Sequence, residues 1–155
     1  MESREFKPFG SVSALTLGGG GIGNVWGETS KEESIASVHL ALESGIDHLD
    51  VAPMYGKGEA ERVVGEAIKE RSRDSFRLTT KCALGSLPDE EVYDRFNTSL
   101  IRSLDTMGTD YVDLFLLHSQ LVENDHESQK LDSSFVATGN LTTLKSFYDC
   151  LLYTS

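Results

Sequence analysis

The apolar positions of this chain switch repeatedly between short runs and a helical period, with a glycine or a capping residue at each switch. The pattern predicts the order strand, helix, strand, helix, strand, helix, strand. The first strand falls at about Ser13 to Leu17, and Pro8 and Gly10 ahead of it suggest the turn of a small N-terminal hairpin. Ser30 with Glu33 makes a capping box, Ile35, Val38 and Leu42 form the stripe that the first helix buries, and Gly45 supplies its left-handed stop. Ile46 to Val51 is the second strand. Beginning near Glu59, Ala60, Val63, Val64, Ala67 and Ile68 recur at the spacing of one helix face. Phe76 to Lys81 is the third strand. Pro88 then opens a third helix whose Asp89, Glu90 and Glu91 complement its positive end. Val92, Phe96, Leu100 and Leu104 are that helix's buried stripe, and Gly108 ends it. Tyr111 to His118 is nearly all apolar, as a parallel strand covered on both faces should be.

Successive strands start roughly 30 to 35 residues apart, which leaves room for one strand and one crossover helix per unit. Four βα units of a parallel α/β fold are therefore expected, rather than a run of hairpins. Beyond them, Leu121 to Ser134 reads as a polar loop, and Leu141, Leu144, Tyr148 and Leu151 suggest a fourth helix capped near Asn140.

With 155 residues and 39% apolar content, the chain is long enough for one core and too short for two ordinary domains. A formal charge of -11 repels phosphate backbones and anionic lipid, so nucleic acid and membranes are poor partners and a small-molecule substrate fits better. The charged start MESREFKPFG has no apolar signal region, and no apolar run approaches a membrane span. Cys82 and Cys150 lack metal-ligand spacing and read as reduced thiols of a cytosol-like, cytoplasmic compartment.

Four polar residues lie at or just beyond the C-terminal ends of the predicted parallel strands, where (β/α)8 enzymes place their active sites. Asp50 ends the second strand, Tyr55 follows it by five residues, Lys81 ends the third strand and His118 the fourth. Singly, each has a structural reading: a strand-end Asp is commonly a cap, and a lone His is commonly a satisfied structural residue. Together their chemistry is complementary. Tyr55 is a proton reservoir, a Lys81 ammonium beside it would make the phenol a better acid, Asp50 would hold that ammonium, and His118 would donate to a substrate carbonyl.

These segments resemble the aldo-keto reductase family. GlyIleAspHisLeuAspValAlaProMetTyrGly (45 to 56) is similar to the family's signature around its Asp and Tyr, and LeuThrThrLysCys (78 to 82) to the strand bearing its lysine. The segment 99 to 118, ending AspTyrValAspLeuPheLeuLeuHis, resembles the one that closes on its histidine. Residues 12 to 27 are most similar to the branch containing sugar and galactose dehydrogenases. The resemblance implies a (β/α)8 TIM barrel of which the chain carries about the first four units. It also implies a carbonyl-alcohol oxidoreductase using NADP(H) or NAD(H), with Gly18, Gly19 and Asp50 near the nicotinamide and Asp50, Tyr55, Lys81 and His118 as the catalytic set. Trp26 would wall the substrate pocket. The sequence departs from the family pattern at its four-glycine run and after His118.

Gly18, Gly20 and Gly23 satisfy G-x-G-x-x-G after a strand, which mimics a dinucleotide fingerprint. In a true fingerprint the last glycine opens the helix, whereas here the helix begins only near Ser30. The glycines are read instead as allowing close approach of a flat ring. His48, two residues before Asp50, is expected one layer deeper as core, and His39 is expected to be structural. His126 with Glu123, Asp125 and Glu127 lacks regular ligand spacing, so no metal site is expected. Closing an eight-unit barrel takes about 250 residues, so the sequence is expected to be the N-terminal half of such a domain. Its ending CysLeuLeuTyrThrSer resembles adapter-derived read-through, which would make the tail from about residue 150 non-native. The alternative to an enzyme is a non-catalytic half-barrel or regulatory subunit with a residual tetrad; an intact tetrad disfavours it.

Overall fold

A computed structural model describes residues 1–7, 9–84, 87–118, 120–122 and 136–138. They fall into two compact units, one of Met1–Thr80 with Arg102–Phe115, the other of Lys81–Ile101 with the residues from Leu116.

The first unit opens with a hairpin. Strand β1 (Ser3–Phe6) pairs antiparallel with β2 (Gly10–Ser13), and Gly10 takes the left-handed φ of +73° that the return requires. Next come β3 (Leu17–Gly18), β4 (His48–Asp50) and β5 (Arg77–Cys82), which pair parallel, and with β6 (Leu114–Leu117) they make a sheet of order β3-β4-β5-β6. Leu17 lies beside Leu49, Gly18 beside Asp50, Leu49 beside Leu78 and Asp50 beside Thr79. Because strand side chains alternate, Leu17, Leu49 and Leu78 share one sheet face, while Gly18, Asp50 and Thr79 share the other.

The apolar face is covered by helices α1 (Lys31–Glu43) and α2 (Glu59–Ile68). Leu49, Val51, Leu78 and Phe76 form one core with Val38 of α1 and with Ala60, Val63, Val64, Ala67 and Ile68 of α2. Each fully buried Leu or Val contributes about 1.5–3 kcal/mol of transfer free energy, so this layer anchors the unit. Helix α3 (Asp89–Met107) adds Met107 to the same core. A Cβ on Gly65 would stand 2.8 Å from Met107 Cα, so glycine at 65 is what lets α2 pack there.

Helix α1 carries the predicted capping box. The Glu33 amide donates to Ser30 Oγ at 3.2 Å, while the Ser30 amide and hydroxyl donate to Glu33 Oε2 at 3.1 and 2.9 Å. Those bonds, the hydroxyl's first, hold the Glu33 carboxyl below its ordinary range.

In the second unit Cys82, Leu84, Val92 and Phe96 are buried, the last two being the first half of the stripe expected for α3. A further pair of short strands, β7 (Gln120–Val122) and β8 (Val136–Thr138), runs parallel in its own two-stranded sheet. Among the described residues no helix is long and apolar enough to cross a membrane.

Three expectations need correction. The first strand is shorter and later than Ser13 to Leu17. Ser13 instead closes the hairpin and locks onto Asp47: its amide donates to Asp47 Oδ1 at 2.8 Å and the Asp47 amide donates to Ser13 Oγ at 3.0 Å. The chain therefore bends between Ser13 and Leu17. The fourth strand starts at Leu114 rather than Tyr111, because Tyr111 lies against the Arg73 guanidinium and the Asp113 carboxylate takes a backbone bond of β5. Leu121 and Val122 belong to a strand rather than a loop, their backbone pairing with β8. The expected fourth helix and His126 lie outside the described residues.

Candidate active site

Sheet pairing and a following turn bring Gly18, Gly19, Asp50 and Tyr55 together at the C-terminal ends of β3 and β4. Gly18 and Asp50 are neighbours in register, and the Gly19 amide donates to the Asp50 carbonyl at 2.7 Å. Past Gly18 the chain thus stays fastened to β4. A Cβ on Gly19 would lie 2.9 Å from Val51 Cγ1, 3.0 Å from the Asp50 carbonyl oxygen and 3.2 Å from Tyr55 Cδ2. Glycine at 19 is therefore a packing requirement: it lets the Tyr55 ring close against the end of β3. At Gly18 the opposite holds, for a Cβ there would meet nothing within 4 Å. The backbone of Gly18 is open to a flat group beside Asp50.

Tyr55 is half-buried in the turn between β4 and α2. The turn is tight: the Tyr55 amide donates to the Ala52 carbonyl at 3.0 Å and the Tyr55 carbonyl accepts from the Ala60 amide at 3.3 Å. Gly56 and Gly58, at φ of +62° and +88°, supply the left-handed steps, and a Cβ on Gly56 would collide with the Gly23 carbonyl. The four-glycine segment and the tyrosine turn thus lie back to back. Helix α1 begins at Lys31, eight residues beyond Gly23, so the run of glycines does not open a helix as a dinucleotide fingerprint would.

The remaining tetrad positions belong to the second unit. Lys81 is the penultimate residue of β5 and is 7% exposed. His118 follows β6 directly, is half-buried, and its amide donates to the Cys82 carbonyl at 2.8 Å. Trp26 is 80% exposed and lies across Gly20, whose missing Cβ would stand 2.8 Å from the indole.

Below Asp50 on the same sheet face lies a polar layer. His48, expected in the core, is half-buried; its Nε2 is 2.8 Å from Thr79 Oγ1 and its Nδ1 is 3.1 Å from Thr16 Oγ1. His39 is likewise bonded, its Nε2 3.0 Å from the Ala67 carbonyl. The pair that sequence reading missed is on the helix side: Glu61 of α2, 3% exposed, accepts from Thr80 Oγ1 at 2.7 Å. A signal existed, since Glu61 stands in line with Val64 and Ile68 at helical spacing and so falls on the buried stripe.

Residues 14–143 match the sequence model of the Aldo/keto reductase family. The chain is 39% identical over 114 residues to Aldo-keto reductase YhdN of Bacillus subtilis, covering 69% of this chain and 34% of that protein. It is 32% identical over 125 residues to the NADH-specific methylglyoxal reductase of Escherichia coli, covering 72% of this chain and 38% of that one. It thus spans little more than a third of these relatives' length. The crystal structure of the thermostable aldo-keto reductase Tm1743 with the inhibitor epalrestat superposes with a TM-score of 0.71 at 28% identity, covering 99% of this chain and 51% of the other. The fold class is accordingly that of an incomplete (β/α)8 barrel. The family match, the parallel strands and the clustering of Gly18, Asp50 and Tyr55 at their C-terminal ends agree: the chain belongs to the aldo/keto reductase family.

Proposed function

We propose that the protein carrying this chain interconverts a small carbonyl compound and its alcohol with NADP(H) or NAD(H), using Asp50, Tyr55, Lys81 and His118 as its catalytic set. The observation that carries this reading is the open backbone of Gly18 in register with Asp50, with the Tyr55 ring held beside Gly19. A nicotinamide is planar and needs a surface without a projecting side chain, and Gly18 offers one at the strand end where barrel sites lie. The similarity to the NADH-specific methylglyoxal reductase of Escherichia coli supports the same class of chemistry.

When bound, the nicotinamide supplies or accepts hydride at the carbonyl carbon. The rest falls to the chain's own side chains. Tyr55 holds the proton that passes to the carbonyl oxygen, and the turn bonds to Ala52 and Ala60 keep its backbone fixed while it does so. Lys81 supplies the positive charge that favours the phenolate left behind, and Asp50 anchors that ammonium. His118 donates to the carbonyl oxygen and sets its direction, while Trp26 walls the substrate side.

The test is steady-state kinetics of the purified protein with NADPH and NADH against methylglyoxal and 4-nitrobenzaldehyde. Tyr55→Phe removes the proton donor alone and should lower kcat by about 100-fold or more, with cofactor binding kept. Unchanged turnover in Tyr55→Phe overturns the assignment.

A further inference from the structure

Glu61 is an ionisable group, 3% exposed in a layer of apolar side chains, for which the chemistry above has no use. Removing a carboxylate from water costs more than one hydroxyl hydrogen bond returns, and an apolar pair of the same volume would serve stability at least as well. The helix dipole does not require it either, because Glu59 already places an acidic group in the first turn of α2. What distinguishes Glu61 is where its bond to Thr80 leads. Its Oε1 accepts from Thr80 Oγ1 at 2.7 Å, and Thr80 immediately precedes Lys81 on β5. In the other direction, Glu61 follows Ala60, whose amide donates to the Tyr55 carbonyl at 3.3 Å. The Glu61–Thr80 bond therefore ties the helix that follows the Tyr55 turn to β5, beside the backbone bond from the Val51 amide to the Thr79 carbonyl at 2.9 Å.

We propose that Glu61 is a positioning residue for the proton transfer: through the Thr80 hydroxyl it fastens the Tyr55 turn to β5 at the residue before Lys81. This rests on the functional reading above. A carboxylate suits the task because an O–H···O⁻ bond is shorter and about twice as strong as a neutral one. The bond resists small displacements of the Tyr55 turn from β5.

The decisive variant is Glu61→Met with Thr80→Val, which replaces both partners with apolar groups of similar size and leaves no buried charge unpaired. Its melting temperature should equal or exceed the parent's. With NADPH and 4-nitrobenzaldehyde its kcat should fall about tenfold or more while KM and the NADPH dissociation constant move less than about threefold. Glu61→Gln keeps an acceptor for Thr80 and should recover most of the rate. If the double variant does not fold, Thr80→Ser against Thr80→Ala makes the same comparison, since serine keeps the hydroxyl. A folded double variant with kcat within about twofold of the parent overturns the proposal. So does a Glu61→Gln protein as slow as the double variant, which would assign the effect to charge rather than position. A parent whose turnover is absent or untouched by Tyr55→Phe instead overturns the functional reading itself.

Discussion

Asp113 brackets Leu78 on the neighbouring strand: its amide donates to the Leu78 carbonyl at 2.9 Å, and its carboxylate accepts the Leu78 amide at 2.9 Å. The same carboxylate takes the Arg73 guanidinium and lies 3.8 Å from Arg77 Nε, while Arg73 packs between the rings of Phe76 and Tyr111 at 4.9 and 3.9 Å. A side chain thus does the work of a strand residue where β6 begins, and the register of β6 on β5 is fixed there. A slip by one residue would turn every side chain of β6 to the other face.

Asp113→Ala should therefore cost about 2–4 kcal/mol, because it strands the Leu78 amide and leaves Arg73 without its partner in a largely buried place. Asp113→Asn keeps an oxygen for the amide and loses only the charge, so its cost should be roughly half. Urea unfolding at neutral pH measures both. Equal losses in the two variants would show that the backbone bond contributes nothing.

At the start of α1 the sign of a pH effect follows from the lowered Glu33 carboxyl. A group whose folded pKa lies below its unfolded one stabilises fully above the unfolded value and loses that contribution as pH falls through the folded one. Protection of the first-turn amides of α1 against hydrogen exchange should accordingly fall as pH drops below the ordinary value of 4.5. Glu33→Gln should flatten that dependence while keeping an acceptor for Ser30. A protection profile as steep in the glutamine variant would locate the titrating group elsewhere.

Much of this architecture was legible because its signals are local. The capping box at Ser30 and Glu33, the stripe Ala60, Val63, Val64, Ala67 and Ile68, and the glycine stops at 45 and 108 each depend on residues within a turn or two of one another. What could not be read depended on residues far apart in the chain. Ser13 has the pattern of the first parallel strand, but it ends the hairpin instead and is bonded to Asp47, on the far side of α1; Tyr111 has the pattern of the fourth, but lies against Arg73. The strand positions of Asp50 and Lys81 followed from pattern alone, but the reason Gly19 is glycine lies in Val51 and Tyr55, which meet it only in the fold. Glu61 carries two competing local signals, its place on the buried stripe and its place in a first helical turn, where an acidic group ordinarily answers the dipole.

Trp26 separates binding from stability. At 80% exposure its indole contributes little to the core, so Trp26→Ala should leave the melting temperature within about 2 °C of the parent's. If it walls the substrate pocket, KM for 4-nitrobenzaldehyde should rise severalfold with kcat little changed, the signature of lost uniform binding. Unchanged KM for both aromatic and small aldehydes would remove Trp26 from the site.

The sharpest contrast is between adjacent glycines. At Gly19 an added methyl would press on Val51, the Asp50 carbonyl and the Tyr55 ring at 2.9 to 3.2 Å, and the carbonyl, being backbone, cannot yield cheaply. Gly19→Ala should cost about 1–3 kcal/mol as overpacking and should also lower kcat, because the Tyr55 ring is among the groups displaced. At Gly18 the methyl meets nothing within 4 Å, so Gly18→Ala should be neutral to stability or raise it by up to about 1 kcal/mol through the unfolded state. The same methyl, however, would stand on the open face beside Asp50 where the nicotinamide is proposed to lie. Binding of NADPH and NADH, followed by quenching of Trp26 fluorescence, should weaken about tenfold or more in a protein that melts like its parent, since a buried clash is felt in full by a rigid ring. A Gly18→Ala protein that binds both dinucleotides as tightly as the parent would move the cofactor off β3 altogether, and the reading of Gly18 as its contact would be wrong.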